Sequence, residues 1–292
     1  MYQRAKYKEG VPLENLKDPA GSKKWDGAHF FMQLGETGSP SYISRRESVK
    51  GGFPDRTEKL PHLVKSLPQF AGNIYSVELI HTGHNTGQDA IESHPAVSGI
   101  LNSLAPKAIE TQKLTGPVRA VLLDVKSPSF ETYGQKIEHL KTVEQAFGDS
   151  HLLFVPEIKI GLDNINKLVE DTKVRGEEGV IVTSMTAPES ENYRIKLKHI
   201  NTYNLRVVDI QQEVDISGKP KTSMGALVLA DSTGRIVGKV GTGFSREQRI
   251  EIWKNPKAWL GKLIQVKAMT PTANQIRSAR YNGFADGNID TI

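Results

Sequence analysis

The sequence predicts an α+β protein in which a larger mixed region precedes a small β-barrel. Over the first two thirds of the 292 residues, strand-like and helix-like segments alternate at irregular spacing, unlike the regular repeat of a parallel β/α fold. After about Tyr203, short strand-like segments separated by turns predominate. The length suits two modest domains, whose limits we place at 1–201 and 202–292.

The first region contains short runs of β-branched, aromatic and aliphatic residues that predict strands. One predicted helix carries apolar residues at helical spacing and stops at Gly148, and another begins at Asp163 and stops before Gly176. Residues before about Gly21 are expected to form an irregular lead-in. The predicted strands span 28–34, 74–80, 118–125 and 180–182, and the helices span 135–147 and 163–174.

The last third of the chain predicts four or five short strands and one helix. Ser245 and Gln248 have the spacing of a capping box, which places the start of the helix at Ser245. This content, within about 90 residues, fits a Greek-key barrel of the OB type. An SH3-like barrel gives much the same pattern. The predicted strands span 205–214, 226–230, 235–240 and 262–269.

The composition excludes several classes of site. The chain has no cysteine, which excludes disulfides, thiolate zinc sites, iron–sulfur ligation and cysteine nucleophiles. No apolar run reaches about 18 residues, so we expect no transmembrane helix. The first residues lack the apolar segment of a secretory signal, so we expect a cytoplasmic protein that is not secreted.

The distribution of charge separates the two regions. From Arg194 to Ile292 there are 16 Lys and Arg residues against 8 Asp and Glu residues, whereas the remainder has 22 against 25. A basic last third on a nearly neutral body is typical of a module that binds a polyanion. Many small basic domains bind no polyanion, so the charge alone does not decide the function.

Several charged residues in or next to the predicted strands are candidate catalytic residues. Lys24 precedes Asp26 and Gly27, and a lysine becomes a nucleophile when other cations or burial depress its pKa. Glu78 lies on an alternating strand, and Lys196 and Lys198 share one face of another. Taken singly, each of these residues is more often a solvated surface group.

Taken in order, these motifs resemble the covalent nucleotidyltransferase superfamily, which includes ATP- and NAD-dependent DNA ligases, RNA ligases and mRNA capping enzymes. The resemblance rests on Lys-x-Asp-Gly at 24–27, Ser-Arg at 44–45, Glu78, Glu-Gly-Val at 178–180, Lys-x-Lys at 196–198 and the basic barrel. The segments 240–245 and 264–269, with Arg249 between them, are similar to the OB domain of small, phage-type ATP-dependent DNA ligases. The resemblance covers about 22–286.

The resemblance implies a role for each matching residue. Lys24 would form the covalent lysyl-AMP, Lys196 and Lys198 would contact the α-phosphate, and Glu78 and Glu178 would associate with Mg²⁺, with Mn²⁺ as an alternative. The implied nucleotide-binding residues are Ser22, Lys23, Asp26, Gly27, His29, Arg45, Glu78, Leu123, Glu178, Lys196 and Lys198. The implied DNA-binding residues are Arg45, Arg46, Lys239, Arg246, Lys267, Arg277 and Arg280.

The sequence also departs from the superfamily pattern. His29 stands where the family usually has arginine, and Leu123 stands where an aromatic residue often stacks on the base. Ser22 replaces an acid, and the basic motif at 277–281 lacks the usual acid–lysine pair.

The function that the resemblance implies is sealing of 5′-phosphate/3′-hydroxyl nicks in duplex DNA by a monomeric, ATP-dependent ligase with no membrane partner. A capping guanylyltransferase or an RNA ligase of the same superfamily is the alternative. A DNA-binding protein without chemistry is a further alternative, because an OB barrel with a basic surface would suffice. NAD-dependent ligases are excluded, since they carry a four-cysteine zinc site and this chain has no cysteine.

Two smaller features complete the sequence predictions. Trp253 and Trp259 are expected to pack against the barrel and its helix, not against a base. The segment 82–98 is interpreted as a surface insertion near the active site that contacts DNA. His81, His84 and His94 lie in or beside it, at a spacing that gives only a weak metal signal.

Overall fold

Three five-stranded sheets and five α-helices build the part of the chain that a computed structural model describes. That part comprises residues 7–8, 12–48, 51–83, 92–127, 129–190, 193–272 and 274–292. The chain divides into two compact units, Met1–Leu197 and Lys198–Ile292. None of the helices within the described ranges is long and apolar enough to cross a membrane.

The first unit contains ten strands and four helices among its described residues. The boundary between the units falls within the last of these strands, because its final residue, Lys198, belongs to the second unit. The strands are β1 (Tyr7–Lys8), β2 (Pro19–Lys23), β3 (Ala28–Leu34), β4 (Pro40–Ser44), β5 (Ile74–Ile80), β6 (Arg119–Lys126), β7 (Leu153–Phe154), β8 (Lys159–Ile160), β9 (Gly179–Ser184) and β10 (Arg194–Lys198). The helices are α1 (His94–Asn102), α2 (Ala105–Thr115), α3 (Tyr133–Phe147) and α4 (Leu162–Val174).

These strands form two mostly antiparallel sheets with separate cores. One sheet has the order β4-β3-β5-β6-β7 and buries its apolar face, including Phe30, Met32 and Leu122, with apolar side chains of α1, α2 and α3. The other has the order β1-β10-β9-β2-β8, and Val180 and Val182 in β9 pack with Ile165 of α4. Only the β1–β10 and β6–β7 pairs of this unit are parallel within the described ranges.

Several predicted elements of this unit are confirmed. The predicted strands 28–34 and 74–80 coincide with β3 and β5. The predicted helix 135–147 begins two residues earlier, because Thr132 and Gln135 form a capping box that starts α3. It ends at Gly148, whose φ of 77° is the left-handed conformation that glycine adopts without strain.

Other expectations for this unit are wrong or incomplete. The irregular lead-in was expected to reach Gly21, but Pro19–Lys23 is a strand that pairs with both β8 and β9. Gly21 suits this position because a Cβ there would lie 3.0 Å from Ile165 Cγ1. The expected surface insertion, 82–98, contains the first half of α1, and its residues 84–91, with His84, lie outside the described residues.

The second unit contains one sheet and one helix among its described residues. The sheet is fully antiparallel, with the order β13-β12-β11-β14-β15, and its buried face forms one core that includes Leu205, Leu227 and Val266. Trp253 and Trp259 pack against this core, as predicted. The strands are β11 (Ile200–Val214), β12 (Pro220–Ala230), β13 (Ile236–Val240), β14 (Leu263–Thr272) and β15 (Gln275–Phe284), and the helix is α5 (Arg246–Lys254).

The predicted capping box of α5 is confirmed, because the Ser245 side chain accepts from the Gln248 N–H and the Gln248 side chain accepts from the Ser245 N–H. The predicted OB-type barrel is not closed in the described part of the chain. The strand order leaves β13 and β15 at the sheet edges, and between the described residues of these edges a single parallel bridge joins Thr242 to Arg280. The basic motif expected at 277–281 lies on β15, the strand that the sequence did not predict.

Candidate active site

One cavity of the first unit collects most of the predicted site residues. Its volume is about 430 Å³, and strands of both sheets and helix α1 contribute to its wall. The predicted residues that line it are Ser22, Lys23, Lys24, Gly27, His29, Arg45, Arg46, Glu78, Leu123 and Lys196. Lining residues outside the predicted set include Trp25, Arg56, His94, Ser98, Asn102, Asp124, Tyr133 and Arg194.

Lys24 stands at the end of a strand, where its backbone and its side chain are both fixed. It follows β2, and its N–H donates to the Gly179 carbonyl at 2.8 Å. Its Nζ contacts Glu178 Oε2, and only 18% of the lysine side chain and 8% of the glutamate side chain are exposed. The amine of the predicted nucleophile is therefore held at the cavity by one carboxylate.

Lys23 forms ion pairs with carboxylates other than Glu178, which contacts the neighbouring Lys24. Its Nζ lies 2.9 Å from Glu92 and 2.7 Å from Glu177, and 4.2 Å from the ring centroid of Trp25. Successive side chains of an extended backbone point to opposite sides. Two adjacent lysines thus meet two adjacent glutamates as separate pairs, and the charge of Lys23 is already balanced by protein groups.

Gly27 of the first motif is required by a close approach of two strands. A Cβ at this position would lie 2.3 Å from the Leu79 carbonyl oxygen and 2.8 Å from Glu78 Cγ. Any larger residue would displace β5 at the position that carries Glu78.

Glu78 is a half-buried carboxyl in the wall of the cavity. Burial raises the pKa of Glu78 to about 7, because it penalises the charged form. The cation of Lys24 opposes this rise, the carboxylates of Glu178 and Asp26 add to it, and Arg45 opposes it weakly. The wall of the cavity therefore contains one carboxyl whose pKa lies close to neutral pH.

The Glu78→Gln substitution is expected to stabilise the protein, measured without metal or nucleotide, between pH 5 and pH 8. The folded pKa, about 7, lies above the ordinary value of 4.5, so the folded state binds the proton more tightly. The stability from this proton is complete below pH 4.5 and is lost as pH rises to 7. We expect the variant to gain about 1–3 kcal/mol over wild type between pH 5 and pH 8, or about 2–8 °C in melting temperature. Calorimetry without metal or nucleotide measures this, and a gain independent of pH would contradict the assignment.

His29 is held in one neutral tautomer by its two partners. Arg45 Nη1 lies 3.3 Å from His29 Nδ1, and Ser76 Oγ lies 2.6 Å from His29 Nε2. Because a guanidinium only donates, Nδ1 is the acceptor and the Nε2–H donates to Ser76. His29 thus orients Arg45 at the cavity.

A buried ionic network forms part of the same wall, and the sequence did not predict it. Asp124 lies 3.0 Å from Arg194 Nη2 and 3.1 Å from Lys136 Nζ, and the guanidinium lies 5.0 Å from the ring centroid of Tyr133. The network joins β6, which carries Leu123, to β10, which carries Lys196. One sequence signal could have identified Arg194. Side chains two residues apart on a strand share a face, so Arg194 lies on the same face of β10 as Lys196.

Three of the predicted nucleotide-binding residues lie outside the cavity lining. Glu178 contacts Lys24, and Asp26 Oδ2 accepts from the backbone N–H of His94 at 3.2 Å. Lys198, the last residue of β10, is exposed. In the described part of the chain, no group of three or more His, Asp or Glu side chains is arranged to hold a metal ion.

Four of the five DNA-binding residues predicted in the second unit lie on strands of its sheet, and the fifth, Arg246, is the first residue of helix α5. Lys267 and Arg280 are exposed and stand directly opposite each other in the β14–β15 pairing. Lys239 is exposed on β13, and Arg277 is half-buried on β15. Arg246 is exposed, and its guanidinium lies 3.1 Å from Glu213.

Comparison with known proteins shows which fold this chain has. No protein-family model and no curated protein sequence matches the chain. Among solved structures, it is similar to one described as "DNA binding with a minimal scaffold: Structure-function analysis of Lig E DNA ligases". The TM-score is 0.66 at 15% identity, over 98% of this chain and 100% of that chain. The chain has the fold of the ATP-dependent DNA ligases.

Two further solved structures agree with this fold. The chain is similar to the structure named Pmar-Lig_Pre, with a TM-score of 0.64 at 16% identity over 93% of this chain, and it spans 64% of that one. It is also similar to the ATP-dependent DNA ligase of bacteriophage T7 in complex with ATP, with a TM-score of 0.50 at 16% identity, over 96% of this chain and 98% of that chain. The predicted fold class, a nucleotidyltransferase domain followed by an OB-fold domain, is confirmed.

Proposed function

We propose that this protein is an ATP-dependent DNA ligase that seals 5′-phosphate/3′-hydroxyl nicks in duplex DNA. The observation that carries the proposal is Lys24, whose amine contacts Glu178 at a cavity that Glu78 and Lys196 also line. This arrangement occurs in a fold similar to that of ATP-dependent DNA ligases. The ATP complex of the T7 enzyme supports ATP as the nucleotide.

In the first step, Lys24 Nζ attacks the α-phosphate of ATP. A phosphorus–nitrogen bond forms and the bond to the pyrophosphate oxygen breaks. The ammonium gives up one proton before the attack and one after it, to solvent or to the departing pyrophosphate, and the lysyl-AMP nitrogen keeps one N–H. Negative charge develops on the non-bridging oxygens, and the cations of Lys196 and Lys198 are the groups that we assign to stabilise it. Leu123, which is half-buried in the cavity wall, provides an aliphatic surface for the base.

In the second and third steps, AMP passes through DNA. The 5′-phosphate oxygen of the nick attacks the lysyl-AMP phosphorus, so that Lys24 is released and DNA-adenylate forms. The 3′-hydroxyl then attacks the 5′-phosphate, the phosphodiester bond forms, and AMP leaves. Arg45, held by His29, is assigned to the nick phosphate and the ribose.

The residues of the cavity suit a magnesium ion. Mg²⁺ is usually bound by one or two carboxylates together with substrate phosphates, and Glu78 and Glu178 supply two carboxylates beside Lys24. Burial penalises the charged form of Glu78 and raises its pKa, and a cation bound beside it would favour the charged form. Bound there, Mg²⁺ would act as a Lewis acid on the triphosphate.

The second unit is assigned to hold the DNA duplex. Lys239, Arg246, Lys267, Arg277 and Arg280 would contact phosphates, and binding should weaken steeply with salt. We propose functional domains at 1–201 and 202–292, a monomeric enzyme and a cytoplasmic location in a phage-infected or bacterial cell. Sealing would serve DNA replication, repair or recombination.

The test is ligation of a nicked duplex that carries a labelled 5′-phosphate, with Mg²⁺ and either ATP, GTP or NAD⁺. The proposal expects a sealed strand with ATP and none with the other nucleotides. The same assay with a nicked RNA strand separates an RNA ligase. Binding of the duplex without sealing under any condition would leave a DNA-binding protein without chemistry and would overturn the proposal.

A further inference from the structure

Helix α1 presents a row of polar side chains to the cavity. Its polar lining residues stand at helix positions i, i+4 and i+8, which share one face, and the buried Leu101 also borders the cavity. We call His94, Ser98 and Asn102 the α1 stripe. On the adjoining face, Val97, Ile100 and Leu101 are buried in the core of the first unit. The burial of that apolar face fixes the rotation of the helix, so that the α1 stripe faces the cavity.

Polar contacts fix both ends of α1 to neighbouring elements. At its start, the His94 N–H donates to Asp26 of the first motif at 3.2 Å, and the preceding Glu92 pairs with Lys23. At its end, the buried Lys59 donates to the Leu101 carbonyl at 2.9 Å and to the Ser103 carbonyl at 2.6 Å. A wall fixed at both ends can position a substrate without first becoming ordered.

Lys59 connects the C-terminal end of α1 to a part of the cavity wall that contains arginine residues. Lys59, which caps α1, also donates its backbone N–H to the Arg56 carbonyl at 3.0 Å. Arg56 lines the cavity together with Arg45 and the exposed Arg46. The base and α-phosphate of the nucleotide are assigned elsewhere, to Leu123 on β6 and Lys196 on β10. The α1 stripe therefore lines the same cavity as two cations, Arg46 and Arg56, to which the nucleotide assignment gives no role.

The chemistry of the α1 stripe suits a sugar–phosphate backbone. Hydroxyl and amide side chains, such as those of Ser98 and Asn102, supply many of the phosphate and sugar contacts in protein–DNA complexes, together with arginine. Eight residues of helix extend about 12 Å, since each residue rises about 1.5 Å. That length corresponds to about three to four nucleotides of one strand, at 3.4 Å each.

We propose that the α1 stripe, with Arg56, binds the sugar–phosphate backbone of one DNA strand beside the nick. This inference rests on the proposed ligase function. It assigns to His94, Ser98 and Asn102 a positioning role in the DNA-dependent steps only. The nucleotide reaches Lys24 without them.

The test compares the Ser98→Ala/Asn102→Ala variant with wild type in two separate assays. The matched control is Gln145→Ala, an exposed polar helix residue outside the cavity lining. The first assay measures covalent attachment of AMP from ATP and Mg²⁺ without DNA. The second measures binding of a fluorescent duplex with one 5′-phosphorylated nick by anisotropy, followed by single-turnover sealing of the same duplex carrying a preformed 5′-adenylate.

The expected result is a rate of AMP attachment within twofold of wild type and a dissociation constant for the nicked duplex raised about tenfold, as for the loss of hydrogen bonds to charged phosphates. Equal binding by the variant and wild type would overturn the inference. A fall in AMP attachment with unchanged DNA binding would also overturn it and move the α1 stripe to the nucleotide. If wild type attaches no AMP but binds the nick through the α1 stripe, the inference stands and the proposed ligase function fails.

Discussion

The Lys24→Ala variant is expected to form no covalent AMP adduct and to seal no nicks, with activity at least about 10⁴-fold below wild type. The reason is that nucleophilic catalysis requires the attacking atom itself, and no neighbouring group can replace it. Lys23, the adjacent lysine, is paired with Glu92 and Glu177 and does not substitute. The measurement is transfer of label from α-³²P-ATP to protein, followed by ligation of a nicked duplex.

The matched control is Lys24→Arg. Arginine retains a cation beside Glu178, but its guanidinium stays protonated at any working pH, so it supplies no free amine. We expect this variant to melt within a few degrees of wild type and to form no adduct, which separates loss of the nucleophile from loss of the ion pair. The variants should still seal a nick that already carries a 5′-adenylate, because the last step bypasses the lysyl-AMP. An adduct on either variant would show that another residue is the nucleophile.

The second large effect is expected for Lys196→Ala, which should slow formation of lysyl-AMP by about 10²- to 10³-fold. This is the usual loss when one preorganised group that stabilises developing charge is removed. Lys196 is exposed on β10, so its removal should leave the melting temperature nearly unchanged. The apparent KM for ATP should change less than the maximal rate, because the charge develops mainly in the transition state.

Lys126→Ala provides the control for Lys196→Ala. Lys126 is also an exposed lysine on a strand of the first unit, and it lies outside the cavity lining. The assay is a single-turnover time course of AMP attachment over a range of ATP concentrations. Equal rates for the two variants would remove Lys196 from the chemistry.

The sequence predicted best those elements whose own residues decide their conformation. β3 is a short run rich in aromatic and aliphatic residues, and β5 has polar residues at every second position of its centre. Both ends of α3 carry their own start and stop signals, Thr132 and Gly148. The start of α5 at Ser245 was likewise visible in its capping box. Local pattern and tertiary structure agree in these segments, so periodicity and capping were sufficient.

The missed elements depend on partners far away in sequence. β2 consists of small and polar residues with weak strand preference, and it is a strand because β8 and β9 pair with it on both sides. α1 has only nine residues and includes Gly99 and Pro95, so its helical signal is weak by itself. β15 was missed because two residues with positive φ, Asn274 just before the strand and Ser278 within it, interrupt the alternation of apolar and polar residues.

The candidate site was predictable in its residue types but not in its pairings. The order of Lys24, Glu78, Glu178 and Lys196 identified the motifs, and the fold brings them to one cavity or its edge. The Asp124–Arg194 pair spans 70 positions and joins two sheets, which no local pattern reveals. The separate pairing of Lys23 with Glu177 and of Lys24 with Glu178 also required the β2–β9 register.

The measurement that tests the central claim most directly is the intact mass of the protein after removal of any bound nucleotide with pyrophosphate and incubation with Mg²⁺ and ATP. The account predicts a gain of one AMP, located on Lys24 by peptide mapping, and no gain with GTP. A gain of GMP would indicate a capping-type enzyme and would contradict the account. No adduct with either nucleotide would contradict it as well, because the contact of Lys24 with Glu178 would then serve only the structure.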